Sequence, residues 1–428
     1  MAIDNRLIDP DNLIALANKD YKKLAAHIIG STPKENMLSV DEVIEFDRIN
    51  QNVTSSRAVT GNKLVAIVKV TRKCNLRCKY CVSWSDRPDA TMSFSTMVTM
   101  VKRLLSTPNI ERFEFIWHGG EVTLLKPEFF RKLIWVQQTL KTPNQQISNS
   151  IQTNALSMSN EWITFIKGIG LPVGVSFDGS PAINDRRRVD INGRGCSDRI
   201  IRTLNRLKQH HIQYGALMVV DREITTCEIT PMLSNLVAAK IDNVEFLNYV
   251  PSNTQTSDIE QDKRFITYRE YISFLSAVFK IWWQSFRDEL SIPLFEDIVA
   301  YLTQETSQHS QCYWDQNCAR EIITVEPNGD ITACDKYLGT PGSVYGSILK
   351  HDLATLYEQS EFHNDMIVEE QHSLRALKSC EWFQFCRGGC SHDRINSLKY
   401  DSKASKTCCG SRELFNTVAK YASLAREA

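Results

Sequence analysis

Short apolar runs alternate along the chain with stretches in which apolar residues recur every three or four positions. The first run, 64–70, holds Leu64, Val65, Ala66, Ile67, Val68 and Val70 and reads as a strand buried on both faces. Further strands are expected at 113–117, 147–152, 172–176, 214–220 and 243–249. Helical periodicity falls between them, at 93–106, 127–140, 159–168, 197–211 and 229–240. Strands spaced by helices imply βαβ units and a parallel sheet. Six units are too few for a closed eight-stranded barrel, so the expected fold is α/β, a partial (β/α)6 TIM-like barrel over 63–251 with its chemistry at the C-terminal strand ends.

The flanking regions read differently. Residues 1–62 mix polar residues with short helical patterns, as at 12–29, and are expected to form a helical extension packed on the barrel. The alternative is a peptide-contacting element, although the segment is short for a whole leader-peptide-binding domain. Residues 252–310 read as a helical linker. It is polar at 252–257 and aromatic at 264–290, where Trp282 and Trp283 fit a helix facing a core. Residues 311–428 form a cysteine-rich domain. A hairpin is expected over 321–334 with Asn328-Gly329 at its turn, and a helix over about 411–425.

Composition narrows the class. A chain of 428 residues calls for two or three domains. Hydrophobic residues at 42% and charged residues at 23% describe an ordinary globular protein. The formal net charge is zero, so neither nucleic acid nor a membrane surface is indicated as partner. No apolar run nears the roughly 20 residues of a membrane span, and the N-terminus has no signal-peptide core. A cytoplasmic location is expected, where 13 cysteines suggest metal rather than disulfides.

Three of those cysteines, Cys74, Cys78 and Cys81, lie at CxxxCxxC spacing directly after the first strand. Three thiolates in one short loop repel unless a metal takes up their charge. Structural zinc takes four protein ligands, and no partner pair follows nearby. A [4Fe–4S] cluster held by three cysteines keeps one iron open to a substrate or cofactor.

This loop, with Tyr80 before its third cysteine, resembles that of the radical S-adenosylmethionine (SAM) enzymes. Supporting motifs follow at later strand ends. His118-Gly119-Gly120-Glu121 resembles the family's GGE motif, with Val122 in place of the usual proline. Gln152-Thr153-Asn154, Ser176-Phe177-Asp178-Gly179, Arg188 and Leu247 complete the series. The resemblance implies that Cys74, Cys78 and Cys81 hold a [4Fe–4S] cluster. It also implies that Tyr80, Gly119, Gly120, Glu121, Asn154, Ser176, Arg188 and Leu247 bind SAM. The glycines would let the backbone approach methionine's ammonium, with Glu121 as its counter-charge. His118 is a further strand-end candidate for contact with SAM or substrate. Reductive cleavage of SAM to a 5′-deoxyadenosyl radical, followed by hydrogen abstraction, is the implied chemistry.

The C-terminal cysteines resemble a SPASM domain, which carries two auxiliary [4Fe–4S] clusters. By that pattern Cys312, Cys318, Cys334 and Cys390 ligate the first, and Cys380, Cys386 and Cys408 the second. The position expected to supply the remaining thiolate is Leu377. Three outcomes stay open: Cys409 or a side chain such as His372 supplies the ligand, the iron is open, or the cluster is absent. Asp335 matches the general base proposed in anaerobic sulfatase maturases. Its alternative is a hairpin-end carboxylate bonded to nearby backbone. Cys196 and Cys227 read as buried structural thiols.

The resemblance implies action on a peptide or protein side chain. The 176–195 region is similar to peptide maturases that form three-residue cyclophanes. A ribosomally made precursor peptide, cross-linked between side chains, is therefore the expected substrate. An electron donor such as flavodoxin or ferredoxin is implied, and a separate leader-peptide-binding protein is an open partner. The alternatives are formylglycine formation by a sulfatase maturase, thioether formation, epimerisation and tyramine excision.

Overall fold

The computed structural model describes residues 21–53, 56–81, 89–249, 262–303, 312–314 and 317–427. One nine-stranded sheet runs through it, in the order β6-β5-β4-β3-β2-β1-β7-β8-β9. The first six strands are β1 (Lys63–Thr71), β2 (Arg112–Gly119), β3 (Gln146–Thr153), β4 (Val173–Ser176), β5 (Tyr214–Val220) and β6 (Val244–Asn248). All six pair in parallel, as the alternation with helices requires. Between them lie the helices Phe94–Leu105, Pro127–Leu140, Asn160–Ile169, Ser197–Gln209 and Ile229–Ala238. Every expected strand and helix of the barrel is present, with ends shifted by no more than two residues.

The alternation of β2 shows how the strands face. Phe113, Phe115 and Trp117 are buried against the helical layer, where Trp117 meets Phe130 edge-on at 6.2 Å. Glu114, Ile116 and His118 point to the other face. Serines cap two of the helices: Ser93 accepts from Thr96 N and Ser159 from Trp162 N.

The C-terminal region does not begin a sheet of its own. β7 (Ile322–Val325) pairs in parallel with β1, placing Val68 opposite Val325. β8 (Asp330–Thr332) and β9 (Val344–Ser347) then continue the sheet antiparallel. The expected hairpin is therefore present, with Gly329 in the left-handed region at φ +84°. Its first strand extends the barrel sheet rather than founding a separate layer. β1, flanked by β2 and β7, is central and buried, yet it carries Lys69, which is 1% exposed.

The N-terminal extension is helical where described, at Tyr21–Gly30 and Val40–Asn52. It is held to the barrel by Lys132 on Glu42 at 2.8 Å and by Trp135 Nε1 donating to the Thr32 carbonyl at 2.9 Å. The aromatic stretch forms the helix Tyr268–Ser285. Phe279 packs on Phe295 at 5.2 Å and on Tyr421 of the C-terminal helix Arg412–Glu427 at 5.8 Å, so the stripe is core. The polar segment 252–257 lies outside the described residues. Among the described residues no helix is long and apolar enough to cross a membrane.

Glu326, just after β7, faces two buried cations, Lys69 on β1 and Arg72 directly after it. Arg72 donates to it through Nε at 2.9 Å and Nη2 at 2.5 Å, and Lys69 Nζ stands at 3.6 Å. Removing one side of a buried ion pair costs about 3–5 kcal/mol. Glu326→Ala is expected to lower stability by about that amount, read as a fall in the denaturant midpoint. An unchanged midpoint would show that the joint between barrel and hairpin does not depend on this pair.

Candidate active site

At the C-terminal end of β1 the chain leaves the sheet and turns through Cys74 to Cys81. The loop is pinned along a second segment: Arg77 N donates to the Val189 carbonyl at 2.7 Å and Lys79 N to that of Arg187 at 2.9 Å. Arg77 braces it from within, through Nη1 to the carbonyls of Cys74 and Leu76. Cys74 Sγ receives the Leu76 N–H at 3.4 Å and Asn154 Nδ2 at 3.7 Å. Cys78 Sγ faces Arg188 Nη1 at 3.9 Å.

Burial pushes the Cys74 thiol up to about 11, Glu121 and Cys81 adding to the shift while the Leu76 N–H opposes it. Burial also pushes Cys78 up to about 12, aided by Cys81 and Cys74 against the pull of Arg188. The three expected thiols are thus together, and Cys74 and Cys78 are penalised as anions by burial.

A single carboxylate ties the far side of this loop to the sheet. Asp178, after β4, is fully buried and accepts Tyr80 Oη at 2.8 Å, Arg188 Nε at 3.1 Å and Val219 N at 3.2 Å. Arg187 Nε lies 3.4 Å from it and also pairs with Asp221 at 2.8 Å. Both guanidinium groups sit over the Tyr80 ring, at 5.0 and 5.4 Å. Within the basic run Arg187 and Arg188 are buried, whereas Arg186 is exposed and pairs with Glu223 at 2.7 Å. Burial would lower Arg188, but Asp178, Tyr80 and Cys78 raise it further, so it stays charged. Asp178 stands within a quoted motif but was not expected to be a site residue. No spacing rule marks it, because its three partners come from three different strand ends.

The GGE segment differs in detail from the expectation. Gly119, at φ +128°, would place a Cβ 2.2 Å from the Thr71 carbonyl oxygen, and Gly120 one 2.1 Å from that of Lys73. Gly120 N and Glu121 N donate to these same two carbonyls at 2.7 and 2.8 Å. The glycines let the end of β2 close on the start of the cysteine loop, where the β1–β2 register shifts between Lys69 and Thr71. Glu121 is buried and already bonded. It accepts Asn154 N at 2.7 Å, Thr153 Oγ1 at 2.6 Å and Thr123 Oγ1 at 2.5 Å. It orders the end of β3 and aims Asn154 at Asn75, whose Oδ1 is 2.8 Å from Asn154 Nδ2. Ser176 takes a hydrogen bond from Gln152 Nε2 at 3.0 Å, and Leu247 is 36% exposed on β6.

Asp335, directly after Cys334, reaches back to β1. Its Oδ1 lies 2.5 Å from Lys69 Nζ. Burial raises its carboxyl, but Lys69, His118 and Arg72 outweigh that and hold it below the usual range. Lys69 is paired with His118 across β1 and β2. Burial lowers His118, leaving its imidazole neutral near pH 7. The bland reading of Asp335, a carboxylate bonded to nearby backbone, is corrected: its partner is a buried ammonium from the central strand. Lys69, Arg72 and Glu326 were missed. The only signal for Lys69 was a charge inside an otherwise apolar run.

The eight C-terminal cysteines form two groups. Cys334 stands beside Cys318 and, with burial and the nearby Cys390 and Cys312, pushes its thiol up. Lys336 Nζ lies 3.7 Å from Cys390 Sγ. In the second group Cys386 stands near Cys409, Cys380 and Cys408. Leu377 is buried at the end of the helix Glu361–Leu377, and His372 is exposed. Cys196 is buried and donates to the Arg188 carbonyl at 3.1 Å, while Cys227 donates to that of Glu223 at 3.2 Å.

Three assemblies of neighbouring thiols suit a cationic group that draws out thiolates. Among the described residues no set of three or more Cys, His, Asp or Glu stands close enough for one metal ion. The thiolates of a four-iron cluster stand further apart than those of one zinc.

Residues 68–235 match the family model of the Radical SAM superfamily. The cysteine-type anaerobic sulfatase-maturating enzyme of Clostridium novyi (strain NT) is 26% identical over 337 residues, covering 77% of this chain and 87% of that one. Among solved structures, native anSMEcpe with bound AdoMet superposes with a TM-score of 0.70 at 25% identity, covering 85% of this chain and 99% of the other. SuiB of Streptococcus suis, bound to its precursor peptide SuiA, shares the fold at a TM-score of 0.54 and 17% identity, covering 83% of this chain and 76% of that one.

The tight contact beneath the cysteine loop is testable. Gly120→Ala forces a Cβ against the Lys73 carbonyl and is expected to cost about 1–3 kcal/mol, measured by denaturant unfolding. Full stability in this variant would mean that the loop is not held by that contact.

Proposed function

The chain is a radical SAM enzyme, and from that premise we propose that it modifies a ribosomally made precursor peptide, joining two side chains by a carbon–carbon bond. The family implies a [4Fe–4S] cluster and SAM. In this reading Cys74, Cys78 and Cys81 hold the cluster. Once bound and reduced, cluster and SAM supply a 5′-deoxyadenosyl radical that takes hydrogen from the substrate. The observation that carries the assignment is the convergence of Asp178, Tyr80, Arg188 and Asn154 on the cysteine loop.

The chain's own residues then have separable tasks. Arg188 stands over Cys78 and Tyr80 as a fixed positive charge. Tyr80, Gly119, Gly120, Glu121, Asn154, Ser176 and Leu247 line the strand ends where SAM would lie, the glycines and Glu121 by fixing the loop and Asn154. Asp335, ionised by Lys69, is placed to accept a proton from an oxidised substrate. Cys312, Cys318, Cys334 and Cys390 would hold one electron acceptor and the second cysteine group another. A flavodoxin or ferredoxin would reduce the enzyme, and a separate leader-binding protein would present the peptide.

Similarity of residues 176–195 to cyclophane-forming maturases supports the cross-linking reading. In the structure this segment lies on the cysteine loop, with Leu76 bridged to Asp190 and Val189 to Gly195. A second reading, oxidation of a Ser or Cys to formylglycine, is favoured by the Lys69–Asp335 pair and by the sulfatase-maturating relative. Mass spectrometry of a precursor peptide encoded beside this gene separates them. Loss of two hydrogens with a new bond between residues supports cross-linking. Conversion of one Ser or Cys to an aldehyde supports the second reading.

The radical chemistry itself is tested with Cys74, Cys78 and Cys81 all replaced by Ala. That variant is expected to make no 5′-deoxyadenosine under reducing conditions, and substantial residual cleavage of SAM would refute the loop assignment.

A further inference from the structure

The second C-terminal cysteine group has a thiol that the motif pattern does not supply. We propose that Cys409 is the fourth ligand of this group, completing a Cys380, Cys386, Cys408 and Cys409 set in which it replaces the thiolate expected at Leu377. The inference rests on reading both C-terminal groups as four-iron sites.

Four observations carry it. Cys409 stands beside two members of the set, Cys386 and its chain neighbour Cys408. Its side chain faces inward and is only 5% exposed, whereas a spare thiol following a ligand would be free to point outward. Room is made for it by Gly389, where an added Cβ would lie 3.3 Å from the Cys409 Cβ. Gly389 ends a run of three residues with positive φ, Arg387 at 45°, Gly388 at 101° and Gly389 at 69°, which turns the chain after Cys386.

Leu377 shows the complementary change. It is 1% exposed, and its Cδ1 lies 3.5 Å from where a Cβ on Gly388 would stand. Its carbonyl accepts the Cys380 N–H at 2.9 Å, so its backbone still shapes the cysteine turn although its side chain is apolar. The donor is supplied instead by the loop before the helix Arg412–Glu427. Arg412 Nη2, 3.7 Å from Cys380 Sγ, adds a positive charge beside the set. When iron binds, each of the four thiols gives its proton to solvent, so no oxidant or reductant is needed for ligation.

The test uses the full chain carrying Cys74, Cys78 and Cys81→Ala, reconstituted anaerobically, so that only the C-terminal groups contribute iron. This protein is expected to hold about eight irons. Adding Cys409→Ser should lower the count to about four, or to about seven with the electron paramagnetic resonance of a three-iron cluster. Adding Cys227→Ser instead should leave about eight. The first group's four irons serve as an internal check on folding. Retention of about eight irons after Cys409→Ser overturns the proposal. So does loss of all iron, which marks a collapsed domain rather than a missing ligand. A starting count near four means that the second group binds no cluster, and it overturns both this proposal and the two-cluster reading beneath it. Restoration of about eight irons by Leu377→Cys in the Cys409→Ser protein supports the exchange of one ligand position for the other.

Discussion

Two cations buried at the end of the central strand must be neutralised, and the way they are neutralised joins the halves of the molecule. Lys69 and Arg72 belong to β1 and the turn after it, at the entry to the cysteine loop. Their partners, Glu326 and Asp335, belong to the C-terminal hairpin region. Leaving either cation unpaired at that depth would cost several kcal/mol. The hairpin is thereby bound to β1 by charge as well as by parallel pairing. The same contacts fix Asp335 against Lys69, where His118 and Arg72 also help to keep it ionised.

The cysteine loop itself is held by carboxylates that the chain keeps for its own order. Glu121 is bonded to Thr123, Thr153 and Asn154, and Asp178 to Tyr80, Arg188 and Val219. Each draws residues from separate strand ends into one assembly. This is preorganisation in the ordinary sense: side chains whose orientation is fixed before any ligand arrives. The motif glycines serve the same end by letting β2 close on the carbonyls of Thr71 and Lys73.

Much of this was legible in the residues. Apolar periodicity located all six barrel strands, because β-branched runs and helical spacing agree locally with the tertiary fold. The thiol loop and the strand-end motifs, separate in sequence, are brought together at one end of the sheet. What escaped was whatever depends on residues distant in sequence. Lys69 looked like a lone charge in an apolar run, since Asp335 and Glu326 lie some 260 residues away. β7 gave no sign that it would pair with β1 rather than begin a new sheet. At Leu377 the residues left three outcomes open, a ligand from Cys409 or a side chain such as His372, an open iron or an absent cluster, because spacing cannot show that Gly389 lies against Cys409. A motif records where donors usually stand, whereas the fold decides which thiols meet.

The central claim is that three groups of thiols hold three four-iron clusters, of which only the one at Cys74, Cys78 and Cys81 is open. Mössbauer spectroscopy of the 57Fe-reconstituted protein, with and without SAM, tests it most directly. The account predicts that SAM shifts the signal of about one iron in twelve and leaves the others unchanged. A spectrum that SAM does not alter, or that shows no cluster beyond the first, would contradict it.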